Sequence, residues 1–312
     1  MDATQLRNAS TDKTIVTAPR AILPGQTYLV TRRCTQRQFL LTPTAETNEI
    51  VRYCLALATR QTGVILNAVC VMSNHWHGVV SDPNARLPQF LGRFHALLAK
   101  TLNASLGRWE NLWSSEKASL VRLLTANDVI AKMAYTVANP TAAGIVETPE
   151  QWPGVLAWFG RDRSIDARKP ARFFADSSPF PEALSVPFER PLMSEGLADF
   201  DFSRRLKTAI AELVGQARDE LARRGLKFLG PDAVRNQSFM AVPSSAAVHR
   251  AISPTVASRS SRSRVQALAK KDGFRRAYRH AWQRFRTGVR DVKFPPGTYA
   301  LRLNSAVEVG QK

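Results

Sequence analysis

The sequence predicts an α+β fold in which an antiparallel sheet carries helices on one face, followed by a mainly helical, basic C-terminal region. The order of local patterns over residues 24–140 is strand, helix, two strands, helix and helix. Charge is unevenly distributed, because residues 1–160 hold 15 Lys and Arg against 10 Asp and Glu, whereas residues 161–312 hold 29 against 15. Most of the formal net charge of +19 is therefore C-terminal, and such an excess attracts polyanions, either nucleic acid or an anionic membrane surface.

The first strand is predicted at QTYLVTRR, where apolar and polar side chains alternate. ETNEIVRYCLALATR then has helical spacing of its apolar residues. VILNAVCVM and HWHGVV, joined by the turn pair Ser-Asn, predict an antiparallel hairpin over residues 64–80. LPQFLGRFHALLAKTLNASLG predicts a second helix. TANDVIAKMAYTVANP predicts a third, which begins at the capping residue Thr125 and ends at Asn139 because Pro140 follows.

Four segments are expected along the chain. Residues 1–20 are polar and without periodicity, which predicts a mobile leader, and residues 21–160 form the first domain. Residues 161–200 are rich in Pro and Ser and predict an extended connector. Residues 201–312 are expected to be a basic, mainly helical accessory region that binds DNA.

The sequence excludes several classes of protein. No run of about 18 uncharged apolar residues occurs and the first 20 residues lack the apolar stretch of a signal peptide, so we expect a cytoplasmic protein without a membrane partner. Cys34, Cys54 and Cys70 are an odd number without paired spacing, which argues against a disulfide framework or a cysteine zinc site. They are expected to be small buried hydrophobic residues.

Two of the five histidines stand two residues apart in the motif His75-Trp76-His77. Side chains at positions i and i+2 of a strand project from one face, so the two imidazoles could bind one metal ion while Trp76 points to the other face. A hydrogen-bonded structural pair and the start of a zinc hydrolase site are alternative interpretations of the same spacing.

Tyr135 and Asn139 are four residues apart and leave the same face of the third predicted helix. The alternative is that Tyr135 packs its ring while Asn139 caps the helix. Tyr28 and Tyr53 fall on apolar faces of predicted core elements, which leaves Tyr135, Tyr278 and Tyr299 as the candidate nucleophiles.

The C-terminal region concentrates positive charge, with 12 Lys and Arg against 2 Asp and Glu over residues 259–293. Aromatic residues recur there at helical spacing, which is more typical of a core stripe than of a stacking platform. The candidate DNA-binding residues share this basic stretch; they are Arg259, Arg262, Arg264, Lys270, Lys271, Arg275, Arg276, Arg279, Arg284 and Arg286.

The ordered set TYLVTRR, VMSNHWHGVV, NLW, AYTVANPTAAGIV and WPGV resembles the single-tyrosine HUH transposases, specifically the REP-associated tyrosine transposases. The resemblance covers about residues 24–160, with a weaker match at FPPGTYALR. It implies a ferredoxin-like HUH catalytic domain over residues 21–160, a divalent metal, magnesium or manganese, held by His75, His77 and Asn139, and Tyr135 as the nucleophile. The implied substrate is single-stranded or hairpin DNA, and the implied intermediate is a 5′-phosphotyrosine.

Two departures accompany the resemblance, since Thr141 and Ala142 stand where the family commonly has Val and Arg, and SSEKASLVRLLT differs from the common pattern. A catalytically silent DNA-binding protein that keeps the fold is the alternative function, and a zinc hydrolase is a third. The sequence leaves three questions open. They are which DNA sequence is recognised, whether the gene still moves as a mobile element, and whether the protein dimerises so that Tyr135 acts in the partner's site.

Overall fold

The computed structural model describes residues 19–175, 177–194, 196–244, 254–299 and 307–310. The chain divides into a larger unit, residues 23–268, and a smaller unit made of residues 1–22 and 269–312. Most of the predicted leader, residues 1–18, lies outside the described residues.

The larger unit has strands and helices in mixed order, which confirms the α+β prediction. They are β1 (Gln26–Arg33), α1 (Ala45–Thr62), β2 (Ile65–Met72), β3 (His75–Asp82), α2 (Leu87–Ser105), β4 (Ser119–Leu123), α3 (Ala126–Ala142), β5 (Leu156–Trp158), β6 (Ser164–Arg168), β7 (Ala183–Pro187), α4 (Asp199–Arg223), α5 (Pro231–Arg235) and β8 (Val256–Ala257).

A six-stranded sheet in the order β5-β2-β3-β1-β4-β8 forms the centre of this unit. The pairs β1–β3, β1–β4, β2–β3 and β2–β5 are antiparallel, and β4–β8 is parallel. The predicted hairpin is thus confirmed as β2 and β3. Its register places Met72 opposite His75 and Cys70 opposite His77.

Helices cover both faces of the sheet, whereas the sequence predicted helices on one face only. Val30, Val71 and Trp76 pack with α1 and α2 in one hydrophobic core. Leu29 and Val79 pack with α3 and α4 in a second core on the other face. The reason is that neighbouring strand residues point to opposite faces, and β1, β2 and β3 are apolar on both.

Each of the first three helices begins at a polar side chain. Thr44 accepts a hydrogen bond from the backbone N–H of Thr47 at the start of α1, with a distance of 3.0 Å. The buried carboxylate of Asp82 accepts from the first backbone N–H groups of α2. Thr125 accepts from the backbone N–H of Asp128 at 3.2 Å, so the predicted cap of α3 is confirmed.

The predicted end of α3 at Asn139 is wrong, because the helix continues to Ala142 with Pro140 in its last turn. A proline there removes one backbone donor, and the turn is held by burial of Val137, Ala138 and Thr141. The backbone N–H of Ala143 still donates to the Asn139 carbonyl at 2.9 Å. Packing therefore overrides the local preference of the residue before proline.

The segment 161–200 is not an extended connector. β6 and β7 pair antiparallel and contribute Ile165, Leu184 and Val186 to the core that contains α1. The Tyr53 hydroxyl donates to the Pro181 carbonyl at 2.7 Å and its ring meets Phe174 edge-on. The alternation of apolar and polar residues in these two short strands was not recognised in the sequence, because Pro and Ser are frequent around them.

The smaller unit contains the end of α6 (Ser261–Arg286), which starts in the larger unit, and the short parallel pair β9 (Lys293–Phe294) and β10 (Glu308–Val309). Tyr278, Trp282 and Phe285 pack around Phe294, so the aromatic stripe is core, as predicted. The helical character predicted for residues 201–312 is confirmed by α4, α5 and α6, although α4 and α5 belong to the larger unit.

All three cysteines are free and buried, as expected. None of the helices in the described ranges combines the length and the apolar character that a membrane span requires.

Candidate metal centre and tyrosine site

His75 and His77 open β3 and project from the face of the sheet that α3 covers. Their rings lie edge to face, with centroids 4.7 Å apart. Trp76 between them points to the opposite face and is 1% exposed. The strand alternation predicted for this motif is thus present, and it brings two imidazoles to one point.

Each imidazole is held through its Nδ1 atom. Nδ1 of His77 lies 2.8 Å from the Thr31 hydroxyl, and Nδ1 of His75 lies 2.6 Å from the amide oxygen of Asn74. When Nδ1 donates to these oxygens, each ring presents an unprotonated Nε2. Histidines that bind metals commonly use this arrangement, since the partner of the second nitrogen fixes both tautomer and orientation.

The electrostatic surroundings favour the neutral form of both rings. Burial, and then the positive charge of Arg33, lower the pKa of His75 to about 4. Burial, with smaller effects of His75 and Arg33, holds the pKa of His77 well below its usual value. Neutral imidazole is the form that binds a metal ion, so the pair is ready to do so at neutral pH.

Trp76 holds the motif in place by packing on the face of the sheet opposite to the histidines. Its indole N–H donates to Nε2 of the buried His95 at 3.1 Å, and its ring meets Phe94 edge-on. Gly78, two residues along the same face, leaves room for the indole, because a Cβ atom there would lie 2.5 Å from the Trp76 ring. The direction of β3 at the histidines is therefore fixed by tight packing.

Tyr135 lies on α3 beside the histidine pair. Its ring is edge-on to the His77 imidazole with centroids 5.5 Å apart, and its side chain is 42% exposed. The ammonium group of Lys132 lies 5.6 Å from the centre of the Tyr135 ring. Of the other candidate nucleophiles, Tyr278 packs in the core of the smaller unit and Tyr299 belongs to that same unit.

Asn139 follows Tyr135 by one turn of α3 and is 9% exposed. Its backbone carbonyl is used by Ala143, while its side chain stays on the face of α3 that carries Tyr135. An amide oxygen there would be a third ligand next to two imidazoles. Within the described part of the chain, no cluster of three or more His, Cys, Asp or Glu side chains is placed to hold a metal.

The donor set fits a divalent cation. Two neutral imidazoles and one amide oxygen leave coordination positions for water or other oxygen ligands. His75, His77 and Asn139 would hold the cation, and Thr31 and Asn74 would orient the two rings.

Four residues near the site were missed in the sequence, namely Thr31, Arg33, Asn74 and Lys132. Thr31 and Arg33 stand opposite His77 and His75 in the β1–β3 register. A pattern of alternation cannot show which strand pairs with β3, and that information was needed to find them. Lys132 could have been found from its spacing of three residues before Tyr135.

The ten basic candidates of the C-terminal region line α6 and the turn before it. Eight are exposed, whereas Lys271 and Arg275 are half-buried. Among described residues the exposed eight form no ion pair with a carboxylate, so their charge is available to a polyanion. His75, His77 and Tyr135 belong to the larger unit. Lys270 and the basic residues after it belong to the smaller unit.

Comparisons with known proteins gave matches among solved structures alone. No family model and no curated protein matches the chain. One solved structure is a REP-associated tyrosine transposase bound to a REP hairpin, 20% identical, covering 44% of this chain and 79% of that chain, with a TM-score of 0.34. Another is a candidate transposase from Deinococcus radiodurans R1, 19% identical, covering 30% of this chain and 76% of that one, with a TM-score of 0.26.

Proposed function

We propose that the protein is a metal-dependent endonuclease and strand transferase of the transposase type, which acts on single-stranded or hairpin DNA. The observation that carries this proposal is the meeting of Tyr135 with the pair His75 and His77. A nucleophile and a cation site at one point are the two elements that cleavage of a phosphodiester needs.

In this proposal the Tyr135 oxygen attacks the phosphorus atom of one DNA linkage. A bond from Oη to phosphorus forms, the bond from phosphorus to the 3′ oxygen breaks, and the 3′ oxygen leaves as a hydroxyl after gaining a proton. The product is a 5′-phosphotyrosine whose formation conserves the ester, so a 3′-hydroxyl can reverse the reaction and join strands without ATP.

The chain's own residues divide the remaining tasks. A cation held by His75, His77 and Asn139 would neutralise charge on the non-bridging oxygens. Arg33 and Lys132 add positive charge on either side of the site, where the DNA backbone would approach. The packing of Trp76 keeps the two imidazoles in place during the reaction.

We also propose that the exposed basic residues of α6 contact DNA phosphates, with DNA hairpins as the partner. Two observations support this proposal: these residues are exposed, and the aromatic residues of the same helix are half-buried against the core of the smaller unit. Such contacts position DNA without reading its sequence.

The test is a cleavage assay with the full-length protein. Labelled single-stranded hairpin DNA is incubated with manganese or magnesium and resolved on a denaturing gel. We expect a band of protein linked covalently to the 5′ end of the cleaved strand. DNA binding without cleavage or adduct under any tested metal would instead support the catalytically silent alternative.

A further inference from the structure

A pocket of about 360 Å³ opens at the end of α2, away from the face that carries the histidines. It lies between that helix end and the loop that leads to β4. Its lining includes Arg32, Lys100, Trp109, Asn111, Trp113 and Ser114. None of them has a role in the site described above.

Trp109 is the unusual residue of this pocket, because it is 91% exposed. The indole ring therefore faces solvent and is open to a ligand that can stack on it. Trp113, on the pocket wall, is in contrast buried, and its N–H donates to the His95 carbonyl at 2.9 Å. Trp109 is therefore available for stacking, while Trp113 supports the wall.

The polar residues around Trp109 favour an anionic ligand. The Arg32 guanidinium lies over the Trp113 ring and donates to the Ser114 carbonyl at 3.2 Å, and Lys100 is exposed at the rim. Glu110 is the one carboxylate of the lining, and it pairs with Arg108 at 3.5 Å. The exposed amide of Asn111 adds a donor and an acceptor.

Two buried polar atoms next to the pocket, Nε of Arg32 and Oδ1 of Asn103, have no hydrogen-bond partner among the described residues. Buried polar atoms in folded proteins are normally paired. The pocket wall at Arg32 and Asn103 therefore departs from the usual pairing of buried polar atoms.

Backbone hydrogen bonds connect the pocket to the histidine site. The N–H of Ser114 donates to the Arg33 carbonyl at 3.0 Å, and the N–H of the next residue in the chain, Cys34, donates to the Asn74 carbonyl at 2.8 Å. The pocket wall and the turn before His75 therefore flank the same end of β1. This is also the end at which Arg33 of β1 pairs with His75 of β3.

We propose that this pocket binds one unstacked base of single-stranded DNA, with Trp109 stacking on the base and Arg32 and Lys100 facing its phosphates. The inference rests on the proposed function, since it assigns a binding position to the single-stranded DNA next to the cleavage site. Aromatic stacking combined with cations is the usual means of binding single strands without strong sequence preference.

The test compares hairpin DNA with and without a short single-stranded flank, by fluorescence anisotropy of the full-length protein in EDTA. Trp109→Ala should weaken binding of the flanked hairpin by roughly 5- to 100-fold, the range that loss of one stacked base gives. Binding of the hairpin without a flank should stay unchanged. Trp109→Phe should restore most of the affinity, because a phenyl ring still stacks. Phe200→Ala, which removes another exposed aromatic ring of the larger unit, serves as the matched control.

Equal affinities of Trp109→Ala and the wild type for the flanked hairpin would overturn the proposal. A changed molar mass in light scattering together with unchanged DNA affinity would assign Trp109 to a protein contact instead. Because binding is measured without metal, the two proposals can fail separately. If the wild type forms no covalent adduct but Trp109→Ala still weakens flanked DNA, the nuclease assignment fails and the pocket assignment stands.

Discussion

His77 on β3 and Tyr135 on α3 meet edge-on, with ring centroids 5.5 Å apart. The contact joins a strand and a helix that are distant in sequence, and it exists because α3 packs on the face of the sheet to which His77 points. The phenol is partly exposed while the imidazole is buried, so DNA could reach the first without disturbing the second.

Tyr135→Phe should abolish cleavage and the covalent adduct while leaving DNA affinity nearly unchanged, because the phenyl ring keeps its contacts and loses only the oxygen. The change in unfolding free energy should stay within about 0.5 kcal/mol, as for other partly exposed positions. A denaturing gel and an anisotropy titration measure the two effects. Tyr278→Phe is the control, and an adduct that survives Tyr135→Phe but not Tyr278→Phe would move the nucleophile to Tyr278.

His75→Ala and His77→Ala should each eliminate cleavage and the binding of manganese measured by calorimetry, because one imidazole alone makes a weak site. Chelation of the wild type should have the same effect on cleavage, and added manganese or magnesium should reverse it. Asn139→Ala should reduce activity less, since water can replace one amide oxygen. His280→Ala removes an exposed histidine and should change nothing. Full activity of the wild type in EDTA would reject the metal assignment.

Thr31→Val should weaken manganese binding by about 10- to 100-fold without unfolding the protein, because the hydroxyl that orients His77 is lost and the shape of the side chain is kept. Thr31→Ser retains the hydroxyl and should bind manganese nearly as the wild type does. If Thr31→Val and Thr31→Ser bind equally well, Thr31 has no role in orienting His77.

His95 makes the stability of the protein dependent on pH. Burial, and then the charge of Arg32, lower its pKa to about 3 in the folded state. Its ordinary pKa is about 6.5, so between these values the unfolded chain binds a proton that the folded chain does not. His95 therefore contributes stability above about pH 6.5 that is lost as the pH falls toward 3.

The measurement is urea unfolding across this window for the wild type and for His95→Gln. The wild type should lose up to about 1.4 kcal/mol per pH unit more than the variant. His280→Gln, at an exposed position, should keep the wild-type slope. Equal slopes for the wild type and His95→Gln would mean that His95 is protonated in the folded protein.

Replacing Arg276, Arg279 and Arg286 together by Gln should lower DNA affinity and flatten its dependence on salt. Each lost phosphate contact reduces the slope of log affinity against log salt by roughly 0.7 to 0.9, so three contacts give a change of about 2 to 3. The full-length protein is needed, because the aromatic face of α6 belongs to the core of the smaller unit. Arg204→Gln on α4 is the control, and an unchanged slope in the triple variant would show that this helix is merely solvated.

The sequence predicted β1, the β2–β3 hairpin and the first helices well, because their apolar periodicity and caps are local signals. The predictions from sequence failed where tertiary packing determined the extent or the placement of a helix. Pro140 was expected to stop α3, yet the buried last turn continues past it. The helices on both faces could not be predicted either, since strand patterns show that two faces are apolar but not which helix covers each of them.

For the candidate site, spacing placed His75 with His77 and Tyr135 with Asn139, and the family resemblance joined the four residues into one proposed site. The sequence could not supply Thr31 or Arg33, because their proximity to the histidines follows from the pairing of β1 with β3. Trp109 was missed for a different reason. Exposure of a tryptophan cannot be read from one sequence.

Gly78 has a consequence for genetics. Any side chain there would collide with the Trp76 ring, which is enclosed by the core and has nowhere to move. A random library screened for cleavage at elevated temperature should therefore recover glycine alone at position 78, as it would at a residue that touches the reacting atoms. Position 78 would then look indispensable for chemistry while contributing nothing except empty space behind the histidines, and a mild replacement such as Gly78→Ala should yield a temperature-sensitive allele.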